Sequence, residues 1–324
     1  MMKKQFISVL AAVSMVMGAV VISSVTSTIM SGSLVGTAAA ASSAYVKPTN
    51  LSLEVLVNAR KVQFPDAKPK MVNGSVLVPI RVVTETLKGK VLSVAGKDIV
   101  LQKGDRTVKL AIGSKAAAVN GKAITLNAAP SVYNSRTYVP LRFISEAFGE
   151  AVEWDSVNQF VWIGHKNVPY LDSLGKIEDI KSYEKYYEGA ESTLTNGNGI
   201  KYKKARIITV NDLPFSVGGD LYLRLDRATS FQGKSLFRFS TTNKGSFVGG
   251  VVLLRDNGIR SREEITLYRE SIGDHRIFYY GVVSKADFQV FGDKNYKSFQ
   301  LSSVKYYDFG FYGEYKVLLE NPWR

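Results

Sequence analysis

The feature that most constrains this chain is a segment written twice, 61 residues apart. Val76-Leu77-Val78-Pro79-Ile80-Arg81-Val82-Val83-Thr84-Glu85 returns as Thr137-Tyr138-Val139-Pro140-Leu141-Arg142-Phe143-Ile144-Ser145-Glu146, and each copy closes on an apolar residue, Leu87 or Phe148. Any fold must seat two copies of one strand-then-helix unit, which is the signature of modular packing rather than of an active site. Pro79 and Pro140 stand where a helix begins, the position at which a missing N–H is harmless. Ile80, Val83 and Leu87, like Leu141, Ile144 and Phe148, then fall on one stripe of that helix. Arg81 with Glu85 and Arg142 with Glu146 are spaced for intrahelical ion pairs.

Around the copies the pattern is one of short strands. Asn73-Gly74 and Asn120-Gly121 are two-residue hairpin turns, because both residues must accept positive φ and this pair does so at little cost. Leu53 to Val57 and Lys61 to Phe64 flank a third turn at Asn58-Ala59-Arg60. After the second helix, Ala151-Val152-Glu153-Trp154-Asp155 turns at Ser156 into Gln159-Phe160-Val161-Trp162-Ile163, and the alternation places Trp154 inward beside that helix. Gly149 suits a helix C-cap, whereas its counterpart is Lys88, with Gly89 one place later.

The N-G-K-x-I hairpin at Asn120, the V-P-L/I-R helix starts and the A-V-E-W-D strand together resemble the copper amine oxidase N-terminal-like domain. This stalk domain is found in secreted proteins of Gram-positive bacteria, and the likeness covers about residues 50–165. It implies a spacer or envelope-interaction module, assigned to residues 45–165.

Lys3 and Lys4 are followed by no charge until Lys47, with an apolar run from Phe6 to Val25 and a small-residue stretch from Thr37 to Ala44. Residues 1–44 are therefore expected to be a signal peptide, with secretion to the extracellular cell envelope of a Gram-positive bacterium. If uncleaved, the same run is long enough to hold the chain at a membrane. The chain contains no Cys, so an exported protein of this kind holds its fold without disulfides. Without Lys3 and Lys4 the formal charge falls from +14 to +12. That excess is diffuse, with 16 basic and 9 acidic residues in 45–165 and 24 and 19 in 166–324. Such a surface suits an anionic wall polymer and gives no reason to expect nucleic acid as a partner.

Residues 166–199 are rich in charge and Tyr and are expected to form a linker with one short helix. From residue 200 to 324 the chain alternates in short runs such as Leu221-Tyr222-Leu223-Arg224-Leu225. It is also strongly aromatic: 14 of the 17 Tyr and 11 of the 16 Phe lie after His165. The expected fold class is an α+β N-terminal domain of duplicated hairpin, short-helix and strand units, followed by a mainly β sandwich of jelly-roll type. Gly199-Ile200-Lys201-Tyr202, the run from Val252 to Gly258 and a late strand after an aromatic cluster resemble, more weakly, the galactose-binding-like sandwiches of the NPCBM type. That likeness implies a carbohydrate-binding module.

Chemistry is narrowly bounded. Two His, His165 and His275, and no Cys supply neither a zinc set of N and S ligands nor the three His of an amine oxidase copper site, and Asn295-Tyr296 is followed by Lys297 rather than an acid. No G-x-S-x-G is present, the two S-x-x-K matches lack companion motifs, and adjacent Glu263 and Glu264 would point to opposite faces of a strand. No cofactor, metal or enzymatic activity is expected. Sugars present C–H faces that stack on aromatic rings, so the Tyr clusters are the expected ligand contacts: Tyr279, Tyr280, Tyr306, Tyr307 and Tyr312, with a cell-wall glycan or an anionic wall polymer as partner. The competing readings are a wall hydrolase with a carboxylate-based site in the C-terminal domain and a purely structural spacer.

Overall fold

The computed structural model describes residues 45–47, 49–242, 250–311 and 313–324, and the expected signal peptide lies outside the described residues. Among the described residues no helix is long and apolar enough to cross a membrane.

The first copy runs through β1 (Glu54–Val57), β2 (Arg60–Lys61), β3 (Lys70–Val72), β4 (Ser75–Pro79), helix α1 (Ile80–Thr86), β5 (Lys90–Ala95) and β6 (Asp98–Lys103). A strand without counterpart follows, β7 (Arg106–Ala111). The second copy then repeats the order: β8 (Ala116–Val119), β9 (Lys122–Thr125), β10 (Ser131–Tyr133), β11 (Arg136–Pro140), α2 (Leu141–Ala147), β12 (Val152–Asp155) and β13 (Phe160–Ile163). The Asn-Gly hairpins form as expected, with φ of 48° and 73° at Asn73 and Gly74, and 50° and 82° at Asn120 and Gly121.

The copies do not fold side by side; they exchange strands. In the sheet ordered β10-β11-β4-β3, Val78 pairs with Val139, its own counterpart in the other copy, so a pseudo-twofold axis passes between these two residues. A second sheet, β12-β13-β1-β2, joins the end of the second copy to the start of the first through the parallel pair β13 and β1. Its symmetry mate is β5-β6-β7-β8-β9, in which β7 is wedged between β6 and β8 and makes both contacts antiparallel. One core unites the whole, with Val83, Leu87, Ile144 and Phe148 from both helix stripes and Leu101, Val108 and Val161 from the flanking sheets.

The helix ends explain the displaced glycine. Each helix closes on a left-handed residue, Lys88 at φ 60° and Gly149 at φ 85°, and the next N–H returns to the helix: Gly89 to Thr84 O at 2.8 Å and Glu150 to Ser145 O at 2.9 Å. A Cβ at Gly89 would lie 2.6 Å from Cε2 of Phe148, so the first copy needs its glycine under the ring of the second copy's last apolar residue. Arg106 of β7 donates to Ala147 O at 3.1 Å, placing a cation at the α2 C-terminus, where the helix dipole favours one.

The second half is a two-sheet sandwich. Its strands are β14 (Lys176–Asp179), β15 (Lys204–Ile208), β16 (Phe215–Val217), β17 (Asp220–Thr229), β18 (Ser235–Thr241), β19 (Gly250–Arg255), β20 (Gly258–Glu263), β21 (Glu270–Ile272), β22 (His275–Gly281), β23 (Tyr306–Asp308) and β24 (Lys316–Glu320). They form a six-stranded sheet, β14-β15-β24-β23-β19-β20, facing a five-stranded one, β16-β17-β18-β22-β21. Phe215, Phe237, Phe239, Leu253, Phe278 and Phe309 fill the space between.

The expected linker is corrected here. β14 is an edge strand of the six-stranded sheet, and helix α3 (Lys181–Glu184) with the turns after it lays Tyr183, Tyr186, Tyr187 and Leu194 on the sheet's outer face. Most Lys and Glu residues that gave this segment its linker composition face water, while Tyr183, Tyr186 and Tyr187 between them are buried.

The outer face of the five-stranded sheet is covered in turn. Leu223 packs on Leu56, Ala59, Phe160 and Trp162 of the duplicated half, and Ala228, Leu236, Ile277 and Tyr279 pack with Val46 and Val157. Arg224, only 2 % exposed, crosses this seam, donating to Ser52 O at 2.9 Å and Asn158 O at 2.7 Å while its Nε holds Asp226 at 2.8 Å. A buried guanidinium with this many partners ties the halves together, because removing any partner would leave an uncompensated charge.

Candidate functional site

Of the five Tyr residues singled out from the sequence, the four that are described do not make a ligand surface. Alternation places Tyr280 and Tyr307 in the sandwich core at 0 % exposure, and it turns Tyr279 to the outer face, where the duplicated half covers it to 2 %. Tyr306 also faces outward and is half-buried, with the rings of Tyr183 and Tyr186 edge-on at 5.3 and 5.7 Å. Tyr312 lies outside the described residues. Burial pushes the phenols of Tyr279, Tyr280 and Tyr307 well above their ordinary range, so these rings serve as packing. The expectation failed because the period of a strand reports which face a ring takes and not whether a further layer covers that face.

An open groove lies instead in the duplicated half, beside α2. Its volume is about 560 Å³. The first turn of α2 contributes Pro140, Leu141, Arg142 and Phe143, and the turn between β3 and β4 contributes Gly74, Ser75 and Val76. β9 and the residues after it contribute Ile124, Thr125, Leu126 and Asn127, and β12 contributes Val152, Glu153 and Trp154. Trp154 is half-buried, packed on the core by one side and lining the groove by the other, rather than fully inward as the alternation suggested. Phe143 is likewise half-buried, while Met71 and Ile124 on the rim are 51 % and 37 % exposed.

Polar groups surround this apolar floor. Arg142 and Glu146 both line the groove, are exposed, and form no ion pair with each other; nor do Arg81 and Glu85, so the spacing that predicted intrahelical pairs yields none among the described residues. Glu153 pairs with Lys166, whose ammonium also sits 5.4 Å from the ring centre of Trp162. The arrangement offers two aromatic faces, one free guanidinium and several hydroxyl and amide groups, which is binding chemistry.

The duplication supplies an internal comparison. A symmetry-related groove of about 330 Å³ lies beside α1, lined by Pro79, Ile80, Arg81, Val82, Ser135, Arg136 and Thr137. Counting back 61 residues, Phe143 becomes Val82, Trp154 becomes Ser93 and Asn127 becomes Asp66, while Ser75 counted forward becomes Arg136. Arg136 and Asp66 close on each other at 3.3 Å across this groove. One groove is aromatic and open; the other has lost both rings and is bridged by charge. Phe143 and Asn127 went unnoticed in the sequence, although aligning the copies would have marked both as departures from the repeat.

No cluster of three or more His, Asp or Glu residues suited to a metal occurs among the described residues. The carboxylates buried in the sandwich are committed: Asp287 is gripped by Arg262 at 2.7 and 2.8 Å, and Asp308 by Lys316 at 2.7 Å and Tyr187 at 3.0 Å.

Comparison with the curated proteins gives no match. Residues 56–163 match the family model described as Copper amine oxidase N-terminal domain, a match that points to a stalk-like, non-catalytic role for this part of the chain.

Proposed function

We propose that the chain is an exported, non-catalytic envelope protein of a Gram-positive bacterium that holds a wall glycan in the α2 groove. The observation that carries this reading is the pair of half-buried rings, Trp154 and Phe143, kept open beside Arg142, Thr125 and Asn127 in one copy and absent from the other. A flat ring that is anchored on one side and open on the other stacks on sugar C–H faces, and the surrounding donors and acceptors bond the hydroxyls. The diffuse basic excess draws the protein toward anionic wall polymers over longer range. Asp287 and Asp308, the carboxylates buried in the sandwich, are held by Arg262 and Lys316, which argues against a carboxylate-based hydrolytic site there.

The test is sedimentation of the chain from Tyr45 with insoluble peptidoglycan at low salt and near 1 M salt, where the screening length falls to about 3 Å and charge attraction is lost. Binding that survives high salt and disappears in Trp154→Ala supports a stacking site. Binding that vanishes with salt in the unaltered chain overturns the glycan groove and leaves a basic structural spacer.

A further inference from the structure

A second cavity, of about 290 Å³, lies on the seam between the duplicated half and the sandwich. Thr49, Asn50 and Leu51 line it from the entering chain, Ser156, Val157 and Gln159 from the β12–β13 turn, and Arg238, Glu270, Ile272 and Ile277 from the five-stranded sheet. It is separate from the α2 groove and shares no residue with it.

Its chemistry is set by Arg238. This side chain is 4 % exposed, and its Nε and Nη2 are buried without a hydrogen-bond partner. The nearest carboxylate oxygen, Oδ2 of Asp226, stands 3.8 Å from Nε and is already held by Arg224 Nε at 2.8 Å. The connected cluster holds three cations, Arg224, Arg238 and Lys61, against two anions, Asp226 and Glu54. Glu270, on the same cavity wall, brings the anions to three, so the charges balance and what is unmet is the pair of buried donors on Arg238. Thr49 Oγ1, on the same cavity wall, is also buried without a partner. Leaving several buried donors unmade is costly, and a carboxylate, with two acceptor oxygens in a plane that matches the guanidinium fork, satisfies them.

Glu270 sits on the same wall with Oε1 taken by the hydroxyl of Tyr279 at 2.7 Å, and it opposes a ligand that is only negative while accepting from a ligand ammonium. Leu51, Val157, Ile272 and Ile277 leave an apolar remainder. The volume falls at the low end of the roughly 300–1,000 Å³ usual for ligand pockets, which restricts the occupant to a small molecule.

We propose that this seam cavity binds a small zwitterion, an α-amino acid with a short side chain, its carboxylate on Arg238 and Thr49 and its ammonium toward Glu270. The seam then closes around ligand, so occupancy tightens the two halves against each other.

The experiment is isothermal titration calorimetry of the chain from Tyr45 with alanine (each enantiomer), acetate, methylamine and inorganic phosphate, each alone. The expected result is saturable binding of alanine with acetate and phosphate weaker by about tenfold or more. Glu270→Gln should weaken alanine without weakening acetate, Thr49→Val should weaken both, and Arg238→Gln should abolish both. Because Arg238→Gln opens a buried ion cluster, its fold is checked by circular dichroism, and Glu270→Gln with Thr49→Val carry the test if it fails. The proposal is overturned if neither enantiomer of alanine gives a saturable isotherm up to about 10 mM. Phosphate or acetate binding as tightly as alanine, or alanine binding that ignores Glu270→Gln, also overturns it.

Discussion

The two grooves of the duplicated half share a backbone and differ in side chains. Both are framed by the first turn of a helix and the hairpin turn of the other copy, yet Trp154 and Phe143 furnish one while Val82, Val94 and the Arg136–Asp66 pair line the other. Duplication thus conserves what packs, the helix stripes and the hairpins, and releases what lines the surface. A groove lining present in one copy only is not required by the shared backbone, and that is what makes the α2 groove a candidate for function.

The comparison breaks first at the core the two copies share. Phe148, buried at 3 %, covers Gly89, and its truncation to Ala should cost about 3–5 kcal/mol by denaturant unfolding. A loss equal to that of an exposed site would mean that the copies do not interlock there. Trp154→Ala should cost less, about 1–2 kcal/mol, because half the ring faces the groove already. The same substitution should remove salt-resistant wall binding while Ser93→Ala leaves it intact, and equal effects would erase the distinction between grooves. At the helix ends, Gly149→Ala should lose about 1–2 kcal/mol and Lys88→Gly should gain up to about 1 kcal/mol, since a side chain in the left-handed region is strained in both. Thermal melts that move both variants in the same direction would contradict equivalent caps. Smallest of all, Arg136→Ala should shift stability by no more than about 0.5 kcal/mol, because both partners of its ion pair are exposed. A larger loss would show the charge bridge to be structural.

What was legible in the sequence was local. The Asn-Gly turns, the proline-started helices and the sandwich strands each follow from a few adjacent residues, as does the division of Tyr279 from Tyr280 and of Tyr306 from Tyr307 between two faces. What was not legible depends on partners distant in the chain. Tyr279 looks available until the duplicated half is laid over it, and Tyr306 until Tyr183 and Tyr186 are. The charge of residues 166–199 read as a linker because five buried apolar side chains of one cluster, scattered among Lys and Glu in short turns, give no clear period. Trp154 was recognised as a packing residue but not as a groove wall, since alternation says nothing of how deep a ring lies.

The pairing of Val78 with Val139 has a consequence for ancestry and assembly. Each copy leaves one edge of its central strand, β4 or β11, and one edge of its terminal hairpin unpaired unless a strand from outside the copy supplies a neighbour. A chain carrying a single copy would therefore find its complement only in a second molecule, forming an isologous dimer about the axis that now runs inside one polypeptide. Residues 112–166 expressed alone should sediment as a dimer, and linking two of them should restore a monomer; a folded single-copy monomer would mean that the exchange of strands is dispensable.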